Sequence, residues 1–405
     1  MPQPSLAKGN KQIDPVNASF ITLTPIIGIL GTIWYAKTYG VTWVELAIFV
    51  VMYLATGLSI TGGYHRYYSH RTYECTMPVR LFYLAFGAAA VQNSVLNWGS
   101  DHRYHHRFVD TDEDPYNILK GAFYAHMGWI FYKDDRDAAT RFDNVPDLLK
   151  DRWVMFQHRH YLPILVLFGF ILPALVGALA GRPLGGLLWG GFFRVVVVHH
   201  MTWFINSLAH LWGSRPYSLE DTARDNWWLG PFTFGEGYHN FHHKFQADYR
   251  NGLRWYQFDM AKWWINILYV FGLVTKMRRI PEPIILKARL AVEMEAVGRR
   301  LAAANASERM WAKVQYRLEL GRQRVESAMA SYQTAKLEYR RQKDAWSSEM
   351  RRQWAEKLDA YEAEFEEART RWRLLVKAMH RIPQPSAQGL LSFTLVMDVL
   401  KYRLF

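Results

Sequence analysis

His65-Arg66-Tyr67-Tyr68-Ser69-His70, His102-Arg103-Tyr104-His105-His106 and His239-Asn240-Phe241-His242-His243 decide how this 405-residue chain is read. The three boxes hold eight of its fifteen histidines. A ninth, His210, closes Asn206-Ser207-Leu208-Ala209-His210 between the second and third boxes. Neutral imidazole suits iron and zinc, and eight or nine converging imidazoles exceed what one ion holds, so the pattern reads as two metal ions. In His-x-x-His-His the residues at i, i+3 and i+4 project from one helical face. His65 and His70, five apart, fall on different faces of a regular helix. Either the helix ends inside that box, after Gly62-Gly63, or the two serve different ions.

His126, His158, His160, His199, His200 and His380 have no box around them. They read as packing or interfacial residues, with hydrogen bonding to ligands as the alternative for His199 and His200, about two turns before Asn206.

The composition is 50% hydrophobic and 16% aromatic, and mean hydropathy is −0.16. That mean averages two unlike parts, because long apolar runs lie before about residue 275 and a charged stretch follows. Cys75 is the single cysteine, which excludes an intramolecular disulfide and a thiolate cluster. A net charge of +13 suits anionic lipid or a phosphate-bearing coenzyme and does not by itself indicate nucleic acid; no nucleic-acid partner is expected. The polar segment 1–19, with Pro2, Pro4 and Pro15, does not read as a cleaved signal.

The apolar runs read as four crossings: Phe20 to about Tyr39, Trp43 to about Gly62, Tyr161 to Ala180, and Leu184 to about Ile205. They pair into hairpins around Gly40 and Gly181-Arg182-Pro183. Pro78 to Leu96 is apolar too, but a crossing there would put boxes one and two on opposite faces of a core about 30 Å thick. It is expected to be an in-plane or partly buried helix, and Trp263 to Val274 an interfacial one. Arg194, inside the fourth crossing, is expected near a water-filled cavity or the interface. The fold expected over 20–275 is therefore an all-α integral membrane protein, with four transmembrane helices and a helical cap holding a His-rich dimetal site. Basic segments on the cap side place it in the cytosol.

Residues 283–382 are different. Val325, Ala328, Tyr332, Ala335 and Tyr339, then Tyr361, Phe365, Ala368, Trp372, Leu375 and Met379, recur three and four apart among charged residues. This predicts a long helical or coiled-coil extension, interrupted near Gly321 and Ser347-Ser348. It reads as a solvated helix on the cap or as a self-association or partner-docking element. A tail, 383–405, follows.

With Trp98-x-x-Asp101 before box two, Asp114-Pro115-Tyr116-Asn117, His126-x-Gly128-Trp129 and Gly237-Tyr238 before box three, the boxes resemble membrane fatty acyl-CoA desaturases of the delta-9 type, the stearoyl-CoA desaturase-like histidine-box family. The resemblance covers roughly Phe20 to Val274. It implies that His65, His70, His102, His105, His106, His210, His239, His242 and His243 bind two irons, with Asn206 reaching one of them through water. The reaction implied uses O2 and two electrons to place a cis double bond in a long saturated acyl chain. Positions matching Gln92, Trp98 and Thr202 would line the bend that holds the chain, Gly57 would close the blind end, and Asn93, Asp101 and Lys133 would face the coenzyme.

Elementary chemistry agrees that an unactivated C–H bond needs a cofactor metal. Asp101 and Glu236 are candidate carboxylates balancing the site's charge. Zinc acquired during overexpression would fit the same imidazoles. Acyl-CoA members often carry arginine where this chain has Ser100, so a carrier-protein or lipid-linked acyl donor stands beside acyl-CoA. The extension shows no fused haem domain, so an external ferredoxin or cytochrome b5-like carrier with its reductase is expected. Two rivals are a di-iron membrane hydroxylase or alkane monooxygenase, and a non-catalytic membrane metal-binding protein.

Overall fold

The computed structural model describes residues 12–134, 136, 139–303 and 308–380. The expected polar N-terminal segment falls largely, and the tail 383–405 wholly, outside the described residues. The described residues form two compact units, one from the segments up to Arg215 and Glu220–Arg279, the other from Pro216–Leu219 and the segment from Ile280.

Four helices of the first unit are long and apolar enough to cross a bilayer: Pro15–Tyr39, Trp43–Ser69, Tyr161–Ala178 and Pro183–Leu211. The first turn is sharp because Gly40 takes φ +68°, and Thr42 with Glu45 forms a capping box that starts the second span. Gly181, at φ +71°, turns the second hairpin.

The second span runs past Gly62, to Ser69, so box one is its last stretch. This happens through widening rather than termination. Over Ser59–Ser69 the helix takes π-type turns, and the His70 amide donates to the His65 carbonyl five residues back, at 3.1 Å. Five residues then make about one turn, which stacks His65 and His70 on one side. Gly63 and Gly87 permit the neighbouring helix to close on this stretch. A Cβ at Gly63 would lie 2.6 Å from Tyr83 Cγ, and one at Gly87 2.2 Å from Tyr64 Cε1.

The apolar segment 78–96 is two pieces. Met77–Ala89 is a helix of 13 residues, about 20 Å long and too short to cross comfortably. A turn follows, and Ser94 caps the next helix, Val95–Phe108, which carries box two. Box three forms a short helix, His239–Lys244, and the expected interfacial segment is a helix at Met260–Val270. Glu74–Cys75 pairs antiparallel with Val274–Thr275, the one strand pair among the described residues of an otherwise helical unit. The core beneath the boxes includes Ile60, Tyr64, Tyr83, Leu96, Val198 and Ile265.

The second unit contains the helices Glu282–Ala303, Glu308–Gln342 and Ser348–His380. The helix runs unbroken through Gly321, contrary to expectation, and the chain turns just before Ser348. Much of the apolar stripe read from the sequence is used within the chain. Val325, Tyr332, Phe365, Trp372, Leu375 and Met379 are buried together with Leu290 and Val297 of the preceding helix. Trp372 Nε1 donates to Glu293 at 2.5 Å.

Candidate metal centre

Nine imidazoles gather at the box ends of the helices in two groups. His65, His70, His102, His106 and His242 form one, and His105, His210, His239 and His243 the other; within each group the ligating atoms all lie within 4.8 Å of one another. The boxes divide between them. Box two gives His102 and His106, four apart on one face, to the first group and His105 to the second. Box three gives His242 to the first and His239 and His243 to the second. The question left open by box one resolves to one group, because the widened turn aligns His65 with His70.

Nε2 of His65 lies 2.9 Å from Nε2 of His242, which lies 3.0 Å from Nε2 of His106. His70 and His102 meet Nε2 to Nε2 at 2.8 Å. In the second group, His239 Nε2 is 3.1 Å from His210 Nε2 and 3.0 Å from His243 Nε2.

The far sides of four rings fix their tautomers. Nδ1 of His65 donates to Glu236 at 3.0 Å and Nδ1 of His105 to Asp114 at 2.8 Å. His243 Nδ1 faces Asp221 at 3.5 Å. His210 Nδ1 donates at 2.8 Å to Thr222 Oγ1, which donates to Asp110 at 2.7 Å. A proton held on Nδ1 leaves a lone pair on Nε2.

Burial and the neighbouring imidazoles hold His70, His102, His106, His239 and His242 well below the ordinary histidine range. Burial also lowers His243, against the pull of Asp221. Burial alone would raise Glu236, but His65 and Arg66 outweigh it and bring it to about 2.

Converging lone pairs about 3 Å apart repel unless a cation lies between them. Spacings of 2.8–3.1 Å approach those of neighbouring ligands on an ion with metal–nitrogen bonds of about 2.1 Å. The all-imidazole donor set suits a borderline metal such as iron or zinc, so the residues fit a pair of such ions.

A cavity of about 450 Å³ reaches both groups. Its walls include His65 and His102 of the first, His105 and His239 of the second, and Asn206 one turn before His210. Gln92, Asn93, Trp98, Asp101, Lys133 and Thr202 all line it. Gln92 donates to Thr202 Oγ1 at 2.9 Å, and Trp98 stacks on His102 with ring centres 4.8 Å apart.

Other residues stand elsewhere. Gly57 borders a small void of about 10 Å³ that Phe234 also lines, with the Phe234 ring 2.1 Å from where a Cβ on Gly57 would be. Asp101 does not reach a metal-facing ring. It pairs with Arg136, which also binds Asp134 and stands over the Tyr104 ring. Ser100 Oγ donates to the Arg141 carbonyl at 2.7 Å. His199 and His200 turn away from the boxes, to the Ala90 carbonyl and to His126 respectively.

Asp114, Asp221 and Thr222 were not singled out as partners of the metal-facing rings by sequence reasoning. Asp114 had a signal, its place just after box two. Asp221 and Thr222 had none, since their histidines are reached only through the fold.

Four apolar spans with a paired imidazole centre at one end define an integral membrane protein of the histidine-box class. The family model for fatty acid desaturases matches residues 42–272, and the chain belongs to that family. It is 39% identical over 305 residues to acyl-CoA desaturase 1 of Saccharomyces cerevisiae, covering 74% of this chain and 59% of that protein. It is 45% identical over 287 residues to a probable acyl-CoA desaturase of Schizosaccharomyces pombe, covering 70% and 58%. Identity to delta-9 acyl-lipid desaturase 1 of Arabidopsis thaliana is 37% over 243 residues, covering 59% and 77%. The chain thus spans less than two thirds of the length of the two yeast relatives.

Proposed function

We propose that this chain is an O2-dependent di-iron fatty acyl desaturase that places a cis double bond, at the delta-9 position, in a long saturated acyl chain carried as its CoA thioester. The observation that carries this reading is one cavity touching both histidine groups and lined by Gln92, Trp98 and Thr202. The names of the yeast relatives support the acyl-CoA donor.

Bound at these nine histidines, with Asn206 contributing through water, two irons would supply the oxygen chemistry that an acid or base cannot. O2, two electrons and two protons take one hydrogen from each of two adjacent methylene carbons and leave an alkene and two waters. The chain's own residues do the rest. Glu236, Asp114 and Asp221 hold imidazole protons on Nδ1 and orient the rings. Trp98, Gln92 and Thr202 wall the bend, so depth in the cavity selects the carbons attacked. Asn93, Asp101 and Lys133 face the coenzyme, with the active site on the cytosolic side. Electrons come from a separate ferredoxin or cytochrome b5-like carrier with its reductase.

Gas chromatography of fatty-acid methyl esters from a desaturase-deficient host tests this. The unaltered chain restores one monounsaturated product and His105→Ala abolishes it. A hydroxylated ester in place of the alkene, or full activity of His105→Ala, contradicts it.

A further inference from the structure

Arg194 lies within the fourth span with none of its surface exposed. A guanidinium there is expensive unless its donors are met. Contrary to the expectation of a water-filled cavity or the interface, it meets them on main-chain carbonyls: Ala89 at 2.6 Å, Gly169 at 3.0 Å and Gly190 at 3.0 Å. Ala89 ends its helix, while Gly169 and Gly190 lie in the widened stretches Leu167–Ile171 and Leu187–Phe193. His199, five residues on, takes the next carbonyl, with Nε2 2.9 Å from Ala90 O.

The turn that follows has two non-glycine residues in the left-handed region, Val91 at φ +59° and Asn93 at φ +77°. For a β-branched valine this is an outlier, and such backbone persists only where its surroundings over-determine it. Here they do. Gln92 is tied to Thr202, the Asn93 amide donates to Tyr161 Oη at 2.9 Å, and Asn97 donates to Asn93 Oδ1 at 2.7 Å. Val91, Gln92, Asn93 and His199 all line the cavity.

We infer that Arg194 and His199 are positioning residues: by capping the carbonyls of Ala89 and Ala90 they hold the Val91–Asn93 turn in its strained form and so fix which carbon pair of the acyl chain meets the histidine groups. The clamp rests on geometry, and its chemical consequence rests on the desaturase reading. The two can fail separately.

The test uses the full chain, with His199→Phe, which keeps a ring and removes its donor, and Arg194→Gln, which removes the charge. Hydrogen exchange followed by mass spectrometry reports the turn, the double-bond position of the product reports the chemistry, and metal per chain is the control. His199→Phe is expected to exchange about tenfold faster over the turn, to spread product onto a neighbouring carbon pair, and to keep its metal. Arg194→Gln moves further in the same direction. Unchanged exchange, an unchanged single product position, or metal lost together with activity in both variants overturns the inference. If the unaltered chain forms no alkene, the desaturase reading falls and exchange alone decides the clamp.

Discussion

Nδ1 of His65 lies 3.0 Å from one oxygen of Glu236, while the adjacent residue, Arg66, donates to the other oxygen at 2.9 Å. One buried carboxylate therefore orients a metal-facing ring and neutralises the cation beside it. Asn251 donates to the same group at 2.6 Å, and Arg66 also reaches Asp259.

Glu236→Gln keeps the shape and loses the anionic acceptor. Orienting partners of this kind are worth about 10–100-fold in metal affinity. Competition against a chelator should show a loss in that range, and an affinity equal to that of the unaltered chain would remove Glu236 from the account.

Acid should empty the site. His70, His102, His106, His239 and His242 are held neutral in the fold, well below the usual histidine range. Unfolded histidines take up protons from about pH 6.5 downward, so below that pH the unfolded chain binds more protons than the fold. The stability these groups leave intact is full above about pH 6.5 and falls as pH drops toward their folded values, and metal affinity falls with it. Thermal unfolding and retained metal between pH 7.5 and 5.5 check this; a stability that rises on acidification contradicts it.

Phe234→Ala should open the space beside Gly57 and let longer acyl chains be used. Each methylene buried contributes about 0.8 kcal/mol. The readout is the chain length of the monounsaturated esters, expected to move toward longer chains. An unchanged distribution would detach Phe234 from chain-length choice.

Trp372 is almost wholly buried among Leu290, Val297 and Phe365 in the C-terminal helices. Trp372→Ala should cost about 3–5 kcal/mol of local stability there. Hydrogen exchange in the intact chain should show peptides of Glu308–Gln342 and Ser348–His380 opening together, whereas unchanged protection would mean the packing contributes little.

The sequence made the four crossings legible, because each is a long apolar run and both hairpins carry a glycine that turns them. It also made the nine histidines legible, since their spacing marks helical faces. It hid how His65 and His70 meet, because a helix of regular pitch separates residues five apart and only widening aligns them. The Thr222–Asp110 contact and the Ala89 carbonyl taken by Arg194 were hidden too, because they join segments 112 and 105 residues apart with no local pattern. In the extension the helical character and the apolar stripe were plain, but the packing of Leu290 and Val297, from Glu282–Ala303, against that stripe was not.

Metal analysis of the purified chain expressed in iron-replete cells counts the sites that the nine histidines build. Two equivalents of iron per chain are expected, falling to about one when His239 and His243 are both replaced by alanine, because the first group keeps all five of its imidazoles. An active chain holding one metal or none, or a double variant that still binds two, would contradict that count.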